Sequence, residues 1–147
     1  MEFSQLTIGD KLPNSEWFTV DQAKINEFAD ATEDHQWIHI DEKRCREESP
    51  FGMTIAHGFL SASLMPKMFE QVITVDPKKN TMLNYGIDTL RFLEPVRVND
   101  QLQYTFEVSD IEVKPSGKLF KVAVQVNIKG RDKPAMIGTF LTLLLGA

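Results

Sequence analysis

Between Gly58 and Gln71 the chain is apolar on nearly every side of a helix, because Phe59, Leu60, Ala62, Leu64, Met65, Met68 and Phe69 spread around the axis instead of sharing one stripe. A helix of that kind belongs in the middle of something. Pro66 has no N–H and releases the carbonyl of Ala62, so a bend is predicted there. What surrounds the helix is set by the residues that follow, which read as strands. From about Thr81 to Phe92, Met82, Leu83, Tyr85, Ile87, Leu90 and Phe92 lack clean alternation, and Gly86 marks a bulge or a close backbone approach. Gln101 to Val113 places Leu102, Tyr104, Phe106 and Val108 on one face and then shifts to Ile111 and Val113, a change of parity that predicts a bulge near Ser109-Asp110. Phe120, Val122, Val124, Val126 and Ile128 alternate with polar residues, as in a sheet with one wet face. Ala135 to Leu145 is apolar on both faces and reads as a central strand. The turns at Val98-Asn99-Asp100, Pro115-Ser116-Gly117 and Gly130 to Pro134 are short enough for hairpins, which predicts a long antiparallel meander. A sheet curled around one apolar helix buries both, so the expected class is α+β.

Upstream of the helix the pattern is different. Trp17-Phe18-Thr19 reads as a short strand, and Thr19 with Gln22 makes a capping-box pattern before a helix of about three turns carrying Ile25, Phe28, Ala29 and Thr32 on one face. From Glu33 to Ile55 periodicity is lost among charges, and the segment reads as a long ordered loop anchored by Trp37, Ile38 and Ile40. Within it Asp41 caps a short helix through Glu48, which Ser49-Pro50-Phe51-Gly52 ends.

A chain of 147 residues with 42% hydrophobic and 25% charged residues is expected to form a single domain, 1–147, burying about 70% of its extended-chain surface. Cys45 is the only cysteine, so no intrachain disulfide can form. The N-terminal residues show no signal-peptide pattern and there is no run of about 18 apolar residues, so the chain reads as soluble and cytoplasmic, without a membrane partner. A formal charge of −5 argues against a nucleic-acid partner. Lys129, Arg131 and Lys133 flank Gly130 and read as a solvated hairpin tip.

All three histidines, His35, His39 and His57, lie between Phe28 and Phe69, so imidazole chemistry has one place to occur. A carboxylate beside an imidazole orients the ring and raises its basicity, and together Asp34 and His39 can hold one water for proton transfer. The residues alone also allow a plainer account, which takes precedence at this point: a turn aspartate after a helix and a core histidine. Gly58, opening the buried helix, leaves N–H groups for a carbonyl oxygen that gains negative charge, or serves a tight helix entry. Ser61 and Ser63 either line a pocket or bond back to their own helix. No Gly-x-Ser-x-Gly pattern supports a serine nucleophile, and the three histidines lack a recognised metal-ligand spacing, so no metal is expected. The placing of Cys45 between Arg44 and Arg46 could lower the pKa of its thiol, but is read as accident.

EDHQWIHID resembles the hydratase loop of MaoC-like dehydratases, the (R)-specific enoyl-CoA hydratases, whose usual form is Gly-Asp-x-Asn-Pro-Leu-His, and TIAHGFLSASL is similar to their central-helix entry. FADAT-E-DHQWIH, PFGMTIAHGFL and NYGIDTLRF resemble most the nodulation protein N-like branch. The resemblance covers nearly the whole chain. It implies a hot dog fold, a homodimer or higher homo-oligomer with a thioester tunnel at the subunit interface, an acyl-CoA thioester substrate and no cofactor. It further implies that Asp34 and His39 activate the water added to a trans-2-enoyl thioester, that the Gly58 N–H polarises the thioester carbonyl, and that Gln36, Ser63 and His57 support the pocket. Two departures stand out: Glu33 replaces Gly, and Gln36-Trp37 replaces Asn-Pro. Alternatives on the same scaffold are a non-catalytic acyl-thioester binding or accessory protein and a hot dog thioesterase.

Overall fold

The computed structural model describes residues 1–147 as a five-stranded antiparallel sheet packed against one broken helix. The strands are β1 (Phe18–Val20), β2 (Thr81–Phe92), β3 (Asp100–Lys114), β4 (Gly117–Ile128) and β5 (Met136–Leu145), in spatial order β1-β3-β4-β5-β2. The helices are α1 (Gln22–Thr32), α2 (Trp37–Ile40), α3 (Glu42–Glu48), α4 (Gly58–Ser63) and α5 (Met65–Glu70). Leu60, Ala62, Met65, Met68 and Phe69 of the α4–α5 unit are buried in one core with Tyr104, Phe106, Val122, Val124 and Phe140 of the sheet. This is the helix-in-sheet arrangement expected of a hot dog fold, and no helix is long and apolar enough to cross a membrane.

The break between α4 and α5 falls at Leu64, two residues before Pro66, which occupies the first turn of α5 where its missing N–H is harmless. Hydrogen bonds bridge the break, Leu64 N–H to the Leu60 carbonyl and Met68 N–H to the Leu64 carbonyl. Both predicted bulges are present: the β3–β4 register shifts between Val108 and Asp110, and the β2–β5 register shifts between Asn84 and Gly86. The Tyr104 hydroxyl, buried, donates to the Ser61 carbonyl and so pins α4 to β3 from beneath.

Four expectations need correction. Asp21, and not Thr19, caps α1, its side chain accepting from Lys24 N–H, because Thr19 is paired to Gln101 within β1. The segment from Glu33 to Ile55 holds the expected helix α3, capped by Asp41, but also a single turn, α2, that was not expected and that carries His39. The meander holds only for β3–β4–β5: β2 crosses over to pair with β5, so Val98-Asn99-Asp100 is part of a crossover, not a hairpin. Arg131 is not a solvated tip. Its guanidinium bonds Asp100 at 2.6 Å and the Pro95 carbonyl at 3.1 Å, and it stands 3.6 Å from the Glu94 carboxylate, fastening the crossover to the β4–β5 connection.

Candidate active site

α1 delivers the first candidate group. Its C-cap, Glu33, has φ +63°, the left-handed conformation that glycine adopts most easily, and the chain reverses there into Asp34. Gln36 then caps α2 and Trp37 is its first helical residue. The pattern Gly-Asp-x-Asn-Pro therefore matches this backbone position by position: glycine at the left-handed residue, asparagine at the cap, proline at the first turn. Here the same backbone is kept by other means. Gln36 contributes its backbone N–H to the Asp34 carboxylate at 3.3 Å and makes no side-chain cap bond, while the Trp37 ring lies 4.1 Å beneath the Arg44 guanidinium.

His39 is buried, and its Nδ1 lies 2.7 Å from the Ile55 carbonyl. A carbonyl only accepts, so the neutral ring carries its proton on Nδ1 and leaves Nε2 as a bare lone pair. Ile55 is itself fixed. Its N–H bonds the Ile38 carbonyl, and residues 54–56 pair with the crossover through Ala56 N–H to Val96 and Val98 N–H to Thr54. Gln22 closes the frame, donating to the His39 carbonyl at 2.8 Å while accepting from the Thr54 hydroxyl. Burial pushes the His39 imidazole below its ordinary value, with the Ile55 carbonyl opposing, the neighbouring His57 adding to the depression and Asp34 opposing it.

His57 is 3% exposed and stacks on His39 with ring centroids 3.7 Å apart and planes 21° apart. Its Nε2 lies 3.0 Å from the Asp34 backbone carbonyl and 3.9 Å from the Asp34 carboxylate. Asp34, His39 and His57 each offer a donor atom within 4.8 Å of the other two. The half-exposed Asp34 carboxylate makes no direct hydrogen bond to His39, although an oxygen of the one and a ring nitrogen of the other lie within 4.8 Å, close enough for one water to bridge. Such a trio has the ligand types for a metal ion, but two stacked rings hold their in-plane lone pairs side by side, so an ion in the plane of one stands off the plane of the other. The arrangement suits proton transfer better.

A pocket of about 330 Å³ opens beside the two histidines, lined by His39, His57, Gly58, Ser61 and, from the crossover, Phe92 to Val96; Asp34 lies behind the histidines and is not part of its lining. Gly58 is the first residue of α4, so its N–H has no acceptor inside the helix. A Cβ there would sit 2.9 Å from the Phe92 ring, which explains the glycine by close approach. The structure thus brings together Asp34, His39, His57 and Gly58. Gln36 borders them through its backbone. Ser63 lines a different hollow, with Phe59, Tyr85 and Ile87, and the buried Ser61 lines the histidine pocket in its place. His35 is outside, paired with Asp30 at 2.9 Å. Cys45 is buried against the Trp37 and Ile38 carbonyls, and burial pushes its thiol up, in keeping with a structural role. The sequence reading missed Gln22, Thr54, Ile55 and the Phe92–Val96 wall. Ile55 acts through its carbonyl, which has no signature in residue type.

A family model described as MaoC like domain matches residues 3–130. The chain is 40% identical over 138 residues to nodulation protein N of Rhizobium leguminosarum bv. viciae, covering 93% of this chain and 86% of that protein. It is 40% identical over 130 residues to 3-hydroxyacyl-thioester dehydratase Z of Mycobacterium tuberculosis, covering 88% of this chain and 85% of that one. In fold it is similar to the R-hydratase PhaJ1 from Pseudomonas aeruginosa, with a TM-score of 0.79 at 23% identity over 99% of this chain and 86% of that chain.

The two perturbed histidines have opposite signs, which a titration can read. His39 is depressed by burial, and His35 is raised by its hydrogen bond to Asp30. Followed by NMR, the His39 ring should protonate below pH 6.5 and the His35 ring above it. Because the unfolded state takes up the His39 proton first, His39 makes the fold lose stability as pH falls from 6.5 through its own midpoint, and not above that window. The reverse order of midpoints would contradict the burial of His39.

Proposed function

Since the chain belongs to the MaoC-like domain family, we propose that it adds water across the double bond of a trans-2-enoyl-CoA to give the (R)-3-hydroxyacyl-CoA, or runs the reverse dehydration. The family and the dehydratase relative support a hydratase or dehydratase in general. One observation carries the finer reading: His39, whose Nδ1 is held by the Ile55 carbonyl so that Nε2 is bare, has a ring nitrogen within 4.8 Å of the Asp34 carboxylate and lines a pocket that Gly58 also lines.

In this reading a water bridges the Asp34 carboxylate and His39 Nε2. As its oxygen bonds C3 of the enoyl thioester, Nε2 takes one of its protons and Asp34 holds the other hydrogen and steadies the imidazolium. The C2=C3 electrons pass to the thioester oxygen, whose growing charge the Gly58 N–H receives. The proton on His39 then goes to C2, which restores the neutral ring and leaves hydroxyl on C3 and hydrogen on C2. Dehydration is the same path reversed. His57 and Gln36 are assigned to support of the pocket, Ser61 lines it where Ser63 was expected, and no cofactor enters these steps.

The reading includes a homodimer. β2 is an edge strand of 12 residues whose Leu83, Tyr85, Ile87 and Phe92 are exposed, and Phe59 of α4, 65% exposed, adjoins Phe92 with rings 5.6 Å apart. A long apolar edge invites strand pairing, and a second copy supplies the matching edge.

Two outcomes follow. With crotonyl-CoA, loss of enoyl absorbance should be catalysed by the wild type and fall about 10²- to 10⁴-fold in Asp34→Asn and in His39→Ala, with circular dichroism unchanged. Undiminished turnover in either variant defeats the mechanism. Binding without absorbance loss in the wild type favours an acyl-thioester accessory protein, and release of free thiol favours a thioesterase. For the assembly, sedimentation should give twice the mass of one chain for the wild type and a single-chain mass for Ile87→Asp; a wild-type monomer contradicts the dimer.

A further inference from the structure

We propose that His57 is a positioning residue that holds the two water-handling groups in register, its ring setting the plane of the His39 imidazole and its Nε2–H fixing the Asp34 segment. The kinetic part of this inference rests on the hydration reading, and the geometric part stands without it.

His57 occupies the N-cap position of α4, where a polar side chain ordinarily bonds the helix's own free N–H groups, yet it makes no such cap bond. Its polar atoms are used elsewhere. Nε2 faces the Asp34 backbone carbonyl at 3.0 Å, and because that oxygen can only accept, the neutral ring must carry its proton on Nε2. Nδ1 is then the unprotonated nitrogen, buried and without a partner. An unpaired buried nitrogen is a net loss that a simple filler of this space would avoid, so the position demands something a plain hydrocarbon does not provide.

Two demands meet there. The ring lies flat against His39, with centroids 3.7 Å apart and planes at 21°, and the edge of Phe28 closes its surroundings at 5.0 Å. His39 is bonded at Nδ1 to Ile55 and is free to swing about that bond unless a flat neighbour blocks it, which the His57 ring does. The Nε2–H, at the other end of the same ring, hooks the residue that follows the left-handed Glu33. Phenylalanine would provide the platform without the hook; glutamine would provide a hook without the platform. The half-exposed Asp34 side chain has no direct anchor other than the Gln36 N–H, so its place depends on its backbone, and that backbone is tied to α4 through His57. Gly58 follows in the chain. One side chain therefore relates Asp34, His39 and the α4 entry to one another.

The test separates platform from hook. With the rings neutral and no substrate, ¹⁵N spectra of the wild type should show His57 as the Nε2–H form and His39 as the Nδ1–H form. In His57→Phe the Asp34 amide signal should move while His39 stays largely Nδ1–H; in His57→Gln the Asp34 amide should stay near its wild-type position while His39 becomes a mixture of tautomers. With crotonyl-CoA, His57→Phe should lower kcat tenfold or more with KM changed less than threefold. In an Asp34→Asn background the same substitution should cost less than threefold, because its effect passes through Asp34. Equal losses in both backgrounds, or a folded His57→Phe with unchanged Asp34 signal and kcat, overturn the proposal. If the wild type turns over no enoyl thioester, the hydration reading fails, and the nitrogen and amide signals alone decide the positioning role.

Discussion

The hydrogen bond from His39 Nδ1 to the Ile55 carbonyl is the constraint on which the candidate site depends. It selects the tautomer, leaves Nε2 bare, and joins two parts of the chain that share no secondary structure. A single neutral hydrogen bond contributes only about 1 kcal/mol to stability. Its weight here comes from what holds its acceptor. Ile55 bonds α2, its neighbours pair with the crossover at 96–98, and Arg131 fastens the crossover to the β4–β5 connection through Asp100 and Pro95. The ring is thus referred to the sheet by several links, each modest, that act in series.

The two principal groups have unlike environments, and the difference suits a division of work. His39 is buried and held, its imidazole depressed by that burial, so it remains an unprotonated acceptor near neutral pH. Asp34 is about half exposed and placed by backbone contacts to Gln36 and His57. A fixed, desolvated base beside a solvated carboxylate can share one water without the carboxylate capturing the ring outright. The pocket that His39 lines is walled by the crossover, whose Phe92 lies against Gly58 at the start of α4.

Much of the fold was legible in residue type. The all-round apolar pattern of Gly58–Gln71 announced a central helix, and the parity change after Val108 announced a bulge, because both depend on periodicity. The crossover of β2 was not legible, since periodicity says which residues face inward and nothing about which strand lies alongside. At the site, Asp34, His39 and Gly58 could be named from residue chemistry with the help of a resemblance, but Ile55 could not, because a backbone carbonyl is common to every residue. Glu33 illustrates the reverse case. Its side chain gave no hint of a left-handed backbone, and only the glycine of the resembled motif did. Arg131 was read as solvent-facing because its partners, Asp100 and Pro95, are remote in sequence.

In the proposed reaction Asp34 and His39 Nε2 share one water opposite the Gly58 N–H. A high-resolution crystal structure with butanoyl-CoA, a saturated analogue that cannot be hydrated, tests it most directly. The expected result is the thioester oxygen within hydrogen-bond distance of Gly58 N–H and an ordered water bonded to both Asp34 and His39 Nε2, facing C3. A thioester seated away from Gly58, or no water shared by those two groups, would contradict it.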